Sequence, residues 1–356
     1  MFKGVVYLYD TTTPAEVQEL AKKTACNQRV VHWLANKMPL ASQAAMQHCG
    51  DYLVFLEDEA RLKRKLELGY FCKQRLCSGC AWRASIKAAQ CVAAISGAMA
   101  AEKKIMLMVT LTVPNCASYE LKATMRLLNR SWHKLLRRKR YAPWADYIRK
   151  MEITYNAQAN TYHPHLHCIV YVTPGYFARQ YITHDHLLTD WRSVCGDPSI
   201  TQVDIRRCKH VREGTSAILE VSKYAAKASD FARSRQTART FYDALKHARL
   251  MEYGGECAAL RDKYKAGELA DYDQTDATEY TLRVVYVYSR IAQAYSVHDI
   301  QQYDMSAAEL ARLQADEDKL TAYAVRAADH EEGWKNWLRT DWVRELLAMD
   351  ETEVVE

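Results

Sequence analysis

The chain has 356 residues, 49% of them hydrophobic, and a net charge of +6. That is enough apolar content for the core of one large domain or two ordinary ones, and the modest basic balance fits a DNA partner, which needs a local basic surface rather than a high total. Composition argues against a secreted or membrane chain: MFKGVVYLYD lacks a signal-like start, and the longest nearly uncharged run, Ala88 to Ala101, falls short of the roughly 20 residues that span a bilayer.

A cytosolic protein keeps its eleven cysteines as thiols or metal ligands, not as a disulfide framework. Residues 1 to 48 carry no clear pattern. Cys72-x₄-Cys77-x₂-Cys80 then offers three thiolates, with Cys49 as the fourth or His48 in its place. Four such ligands make a closed, structural Zn²⁺ site. Arg75, Trp82 and Arg83 flank it and can present cations and a ring to DNA, although packing explains Trp82 equally well.

MLMVTLTV (106–113) is a β-branched apolar run stopped by Pro114-Asn115, the signature of a buried strand. Residues 118–142 place Leu121, Met125, Leu128, Trp132 and Leu135 at helical spacing and end in a basic run containing Arg137 and Arg138. MEITYN (151–156) and HPHLHCIVYV (163–172) predict a hairpin. A helix over 177–192, a strand over 200–208 and a helix from Ser216 to Asp230 follow. The order β-α-β-β-α-β predicts an α+β fold: a central antiparallel sheet of the split βαβ, ferredoxin/RRM-like kind, with helices on one face. The expected division is 1–104 for the cysteine-containing region, 105–255 for the sheet and 256–356 for a mainly helical region with one strand-like stretch, Tyr280 to Tyr288.

His165 and His167 alternate with Leu166, so on a strand both imidazoles share one face. Glu152, on the preceding strand, can add a carboxylate; this is a set that suits Mg²⁺ or Mn²⁺ acting on a phosphate. Histidines so spaced also occur as surface or core residues, and His163 lies on the same face as a competing ligand. In LEVSKYAAKASD (219–230), a helix would put Glu220, Tyr224 and Lys227 on one face, with Lys223 nearby. A lysine ammonium favours the phenolate of Tyr224, and Glu220 is a candidate general base. In isolation, such a Glu-Lys-Tyr-Lys face is ordinarily a solvated one.

Together these segments resemble the replication initiators of bacterial rolling-circle plasmids, in the superfamily named for its histidine-hydrophobic-histidine motif (HUH), single-tyrosine branch. MVTLTVPN (108–115) is similar to the first motif, HPHLHCIVYV to the metal motif and LEVSKYAAKASD to the tyrosine motif. HCGDYLVF (48–55) with FCKQRLCSGCAWRASIK (71–87) resembles the branch's cysteine segment, departing from it where Ser78 replaces a frequent proline. The resemblance implies that Tyr224 attacks the scissile phosphodiester, that His165 and His167 hold the metal, and that Glu220 activates water to end a round. It implies origin DNA as partner, with host helicase and polymerase, in the bacterial cytoplasm; the basic residues Arg75, Arg83, Arg137, Arg138 and Lys223 are candidate DNA contacts, and a homodimer is a candidate assembly. The alternatives are an HUH single-strand transposase or relaxase, or a non-catalytic zinc-containing DNA-binding regulator.

Overall fold

The computed structural model describes residues 13–209, 211–223, 225–269 and 279–302. In chain order the helices and strands are α1 (Ala15–Leu34), α2 (Leu40–Gln47), β1 (Tyr52–Glu57), β2 (Arg64–Gly69), α3 (Ser78–Ala101), β3 (Ile105–Thr112) and α4 (Leu121–Leu136). A 3₁₀ turn (Lys139–Trp144) leads to β4 (Asp146–Asn156) and β5 (Thr161–Val172). There follow α5 (Tyr176–Arg179), α6 (His184–Cys195), β6 (Val203–Arg207), α7 (Val211–Ser222), α8 (Ala228–Phe231), α9 (Arg235–Leu245), β7 (Met251–Gly254), α10 (Glu256–Lys265), β8 (Leu282–Ser289) and β9 (Ala294–Gln302). The fold is mixed α+β, with its strands in two antiparallel sheets.

The described residues form two compact units, one from 13–81 and 279–302, the other from those within 82–269. In the first, the sheet order is β2-β1-β8-β9. The run Leu53 to Leu56 is buried throughout, as expected of an inner strand, and α1 packs near β9, with Gln18 Nε2 donating to the Tyr295 carbonyl at 2.8 Å. This arrangement differs from the division expected from sequence. β8 and β9 are recruited to β1 by backbone pairing from Tyr52↔Val287 to Glu57↔Leu282, so the described part of 256–356 is not a separate helical region. The acidic tail and the rest of that region lie outside the described residues.

In the second unit the order is β6-β3-β5-β4-β7. Its first four strands, numbered along the chain, run 4-1-3-2, the split βαβ arrangement read from sequence; β7 extends it beside β4. Alternation along each strand divides the sheet into two faces. Arg149 and Tyr147 point toward α4, where Asn129 and Trp132 meet them. Ile148, Met108, Ile169 and Tyr171 point the other way, into a core with Val92, Ile95 and Met99 of α3 and Ala217 and Val221 of α7. By length and composition α3 is apolar enough to cross a membrane; here its apolar side chains cover the sheet.

Two predicted helices are shorter than expected. The 177–192 helix splits into α5 and α6, with Thr183 capping α6 by accepting from His186 N. The Ser216–Asp230 helix stops at Ser222, whose hydroxyl turns back to donate to the Ile218 carbonyl at 2.7 Å. Beyond it, the Ala225 carbonyl accepts from Ile153 N at 2.8 Å. The open edge of β4 past β7 demands a partner, and satisfying that buried donor outweighs one more helical turn.

Candidate metal centres

The β4–β5 hairpin sets the register. Asn156 Oδ1 accepts from Gln158 N and Ala159 N, and Asn160 takes φ +50°, a local turn chemistry that closes the strands with little slack. Glu152 therefore falls opposite His165, with Thr110 of β3 opposite His167. The side chains of Glu152, His165 and His167 are all buried. Glu152 Oε2 lies 3.4 Å from His167 Nε2 and 3.8 Å from His165 Nε2.

The remaining ring nitrogens are anchored. His165 Nδ1 lies 3.1 Å from the His163 carbonyl, which can only accept, so this nitrogen carries the hydrogen and Nε2 offers its lone pair. His167 Nδ1 lies 3.2 Å from Thr110 Oγ1. Burial works to raise the Glu152 carboxyl, but the His165 and His167 imidazoles outweigh it and hold the group well below the usual carboxylate range. One ligand atom from each of Glu152, His165 and His167 lies within 4.8 Å of the others, a donor set suited to one divalent ion. His163 instead stacks on His165 at 5.0 Å, its carbonyl orienting that ring.

α7 crosses this face of the sheet and brings Glu220 Oε1 to 3.3 Å from His167 Nε2. Lys223 ion-pairs with Glu220 Oε2. Lys227 is exposed and is the N-cap residue of α8, so it does not share one continuous helix with Glu220. Tyr224 lies outside the described residues.

In the first unit, Cys49, Cys72, Cys77 and Cys80 bury their sulfurs together. Sγ separations are 3.3 Å for Cys49–Cys77, 3.5 Å for Cys49–Cys80 and 3.7 Å for Cys72–Cys80. Four thiolates around one Zn²⁺ sit about 3.8 Å apart, whereas a disulfide would need about 2.05 Å. The donor set fits a structural zinc site. Backbone N–H groups of Cys72, Lys73 and Cys80 point at these sulfurs. Burial would raise the Cys77 thiol, but hydrogen bonds with Cys49, Cys72 and Cys80 outweigh it and hold the group low, favouring thiolate. His48 is not a ligand in this group; it pairs with Asp51 at 2.6 Å.

Asn27 was not legible as a site residue. It donates to Cys77 Sγ at 3.1 Å and accepts from Ser78 N at 2.9 Å. Proline at 78 could not supply that N–H, so the departure at Ser78 is matched by a hydrogen bond. Of the basic residues expected at DNA, Lys223 lies beside the Glu/His/His group. Arg75 is exposed near the cysteines, and Arg83 is on α3. Arg137 and Arg138 lie beyond the C-terminal end of α4, on the opposite face of the sheet from the histidines, where Arg138 ion-pairs with Asp190 at 2.5 Å. The structure does not bring them to the metal group.

Fold and sites together define a split-βαβ protein with a buried Glu/His/His group and, in its other unit, a four-thiol group. A family model described as "Replication protein" matches residues 63–303, and the chain belongs to that replication-protein family. A "Protein rep" of Staphylococcus aureus is 35% identical over 190 residues, covering 52% of this chain and 82% of the relative. One from Streptococcus pneumoniae is 30% identical over 266 residues, covering 71% and 83%. One from Lactiplantibacillus plantarum is 29% identical over 280 residues, covering 74% and 87%. No solved structure matches the chain.

Proposed function

We propose that the chain is a plasmid rolling-circle replication initiator of the HUH type, a metal-dependent nickase and strand transferase that cuts origin DNA through Tyr224. The observation that carries this reading is the convergence of His165, His167 and Glu152 with Glu220 at 3.3 Å from His167, on a split-βαβ sheet in a replication-protein chain. His165, His167 and Glu152 would hold Mg²⁺ or Mn²⁺. When bound, such an ion withdraws charge from a phosphate and orients it.

Tyr224 stands in sequence between Lys223, which pairs with Glu220, and Ala225, whose carbonyl accepts from Ile153 next to Glu152. Its phenol oxygen attacks phosphorus, giving up its proton to a base; the Tyr–O–P bond forms and the P–O3′ bond breaks. The departing oxygen takes a proton and becomes a 3′-hydroxyl primer, while the 5′-phosphate stays on tyrosine. The Lys227 ammonium favours phenolate, and Glu220, held by Lys223, is the base that readies water or a second hydroxyl for the closing transfer. The cysteine group takes structural Zn²⁺. Origin DNA, single-stranded at the nick, is the substrate in the bacterial cytoplasm; helicase and polymerase enter through the resemblance. Arg75, Arg83, Arg137 and Arg138 belong to this reading as DNA contacts away from the cut.

The test is incubation of the full chain with labelled single-stranded origin oligonucleotides and Mn²⁺. A denaturation-resistant adduct, absent from Tyr224→Phe, is the expected result. Binding without any adduct in the wild type overturns the nickase reading in favour of a non-catalytic regulator.

A further inference from the structure

Among the described residues β6 pairs with β3 alone, which leaves its outer edge as one wall of a groove of about 710 Å³. Leu107 and Ile205 give the groove an apolar floor, Phe177 and Tyr181 give it rings, and Arg206, Arg207 and Lys209 give it cations. The rings are held in place. Tyr181 is 51% exposed and stacks on Phe177 at 6.0 Å between centroids, with planes 29° apart. Behind them, buried Tyr176 packs edge-on against both and accepts from Ile182 N at 3.1 Å. The Arg207 guanidinium lies 5.0 Å over the Phe177 ring.

Alternation sends Arg206 and Arg207 to opposite sides of the edge strand, so cations flank the groove on both sides. The acidic residues nearby are partly engaged: Glu213 accepts from Lys209 N at 2.6 Å, and Asp204 sits 3.7 Å from Arg206. An apolar partner would have no use for three cations, and duplex DNA keeps its base faces stacked away from protein rings. Phosphates with unstacked bases match both features.

We propose that this β6-edge groove is a binding channel for single-stranded DNA, with bases stacked on Tyr181 and Phe177 and phosphates held by Arg206, Arg207 and Lys209. The assignment deepens the nickase reading and rests on it for the identity of the strand. Register puts Leu107, Ile205 and Arg207, with the Phe177 ring under Arg207, on the sheet face opposite the histidines and Arg206 on theirs, so the path passes round the open β6 edge. Asp204 of β6, Thr110 of β3 and His167 of β5 form one row across the sheet, and Arg206 lies two residues along from Asp204 on the same face. From β6 to the histidine strand is two strand spacings, about 10 Å.

The experiment is fluorescence anisotropy of the full chain with a labelled oligo-dT probe across a salt series, with thermal melting as a check on folding. Tyr181→Ala weakens binding about tenfold and Tyr181→Phe restores it, since the ring face is what the base uses. Arg206→Gln with Arg207→Gln lowers the slope of log affinity against log salt by about 1.4, two phosphates' worth for a single strand. Lys22→Gln, an exposed residue of α1 paired with Glu19, leaves affinity and slope unchanged. Wild-type affinity and slope in folded groove variants overturn the proposal, as does equal or tighter binding of a duplex probe that the same variants do not weaken. The adduct assay reports separately. Adducts in the wild type with unaltered groove variants sink the groove alone; altered groove variants with no adduct in the wild type sink the nickase reading alone.

Discussion

Glu220 on α7 and His167 on β5 meet at 3.3 Å, carboxylate oxygen to ring nitrogen, far from one another in the chain. The contact exists because Ala217 and Val221 on the same helix are buried against Ile169 and Met108 of the sheet. Packing thus sets where the carboxylate stands, beside the Glu/His/His group and tethered by Lys223.

That position suits a base used late in the reaction. Glu220→Gln keeps the side chain's shape and removes its basicity. Adducts made by the variant should accumulate, because the closing transfer slows by about 100-fold or more, the ordinary contribution of a positioned general base. A time course of adduct decay after a chase with unlabelled oligonucleotide measures this; decay at the wild-type rate removes Glu220 from the step.

Thr110 offers a finer test of the proposed metal centre. Its hydroxyl faces His167 Nδ1 at 3.2 Å, fixing the ring so that Nε2 is presented to Glu152. Thr110→Val is nearly isosteric and leaves the ligands themselves intact. Such outer partners typically account for about 10- to 100-fold in metal affinity, so Mn²⁺ titration by calorimetry should show a loss in that range. His165→Ala, which deletes a ligand, should lose more. Unchanged Mn²⁺ affinity in both variants argues against this group as the metal centre.

The histidine pair was legible because strand alternation is a local rule, and Glu152 because a tight hairpin fixes which residues oppose. Residues that act across long sequence distances were not. Thr110 reads as one more β-branched strand residue, and Asn27 as a polar residue inside a helix. The end of α7 at Ser222 depends on the Ile153–Ala225 hydrogen bond, which no pattern within 216–230 encodes. The first unit's sheet was missed for the same reason, since β1 is completed by strands at the other end of the sequence. β7 is short, its residues only half-buried, and it carries no alternation to read.

Asn27 links the four-thiol group to α1. Its amide bonds both Cys77 Sγ and Ser78 N, and the side chain is buried. Asn27→Leu strands two polar partners, at a cost of about 1–3 kcal/mol, and should lower the melting temperature without releasing metal. Cys77→Ser removes a ligand. Elemental analysis should find one Zn²⁺ per wild-type chain and markedly less in Cys77→Ser, and a strong chelator should destabilise the wild type, because structural zinc binding is folding free energy. A wild-type chain that holds no zinc and melts identically with chelator would refute the assignment.

Arg149 and Glu252 give the last prediction, one of stability and not of catalysis. Arg149 is fully buried on the face of the sheet away from the histidines; it donates to Glu252 Oε2 at 2.7 Å and to Asn129 Oδ1 at 2.6 Å. Tyr147 donates to the other Glu252 oxygen at 2.6 Å. Glu252→Ala leaves a buried guanidinium without its counter-charge and should cost about 3–5 kcal/mol. Burial works to raise the Glu252 carboxyl, but Tyr147 and Arg149 outweigh it and hold the group below its ordinary value of 4.5. A depressed carboxyl binds more protons unfolded than folded, so its contribution is complete above about pH 5 and is lost as pH falls through the lowered folded value. The stability gap between wild type and Glu252→Gln, from denaturant melts, should therefore be constant from pH 7 to about pH 5 and shrink below that. A gap that widens on acidification contradicts the pairing.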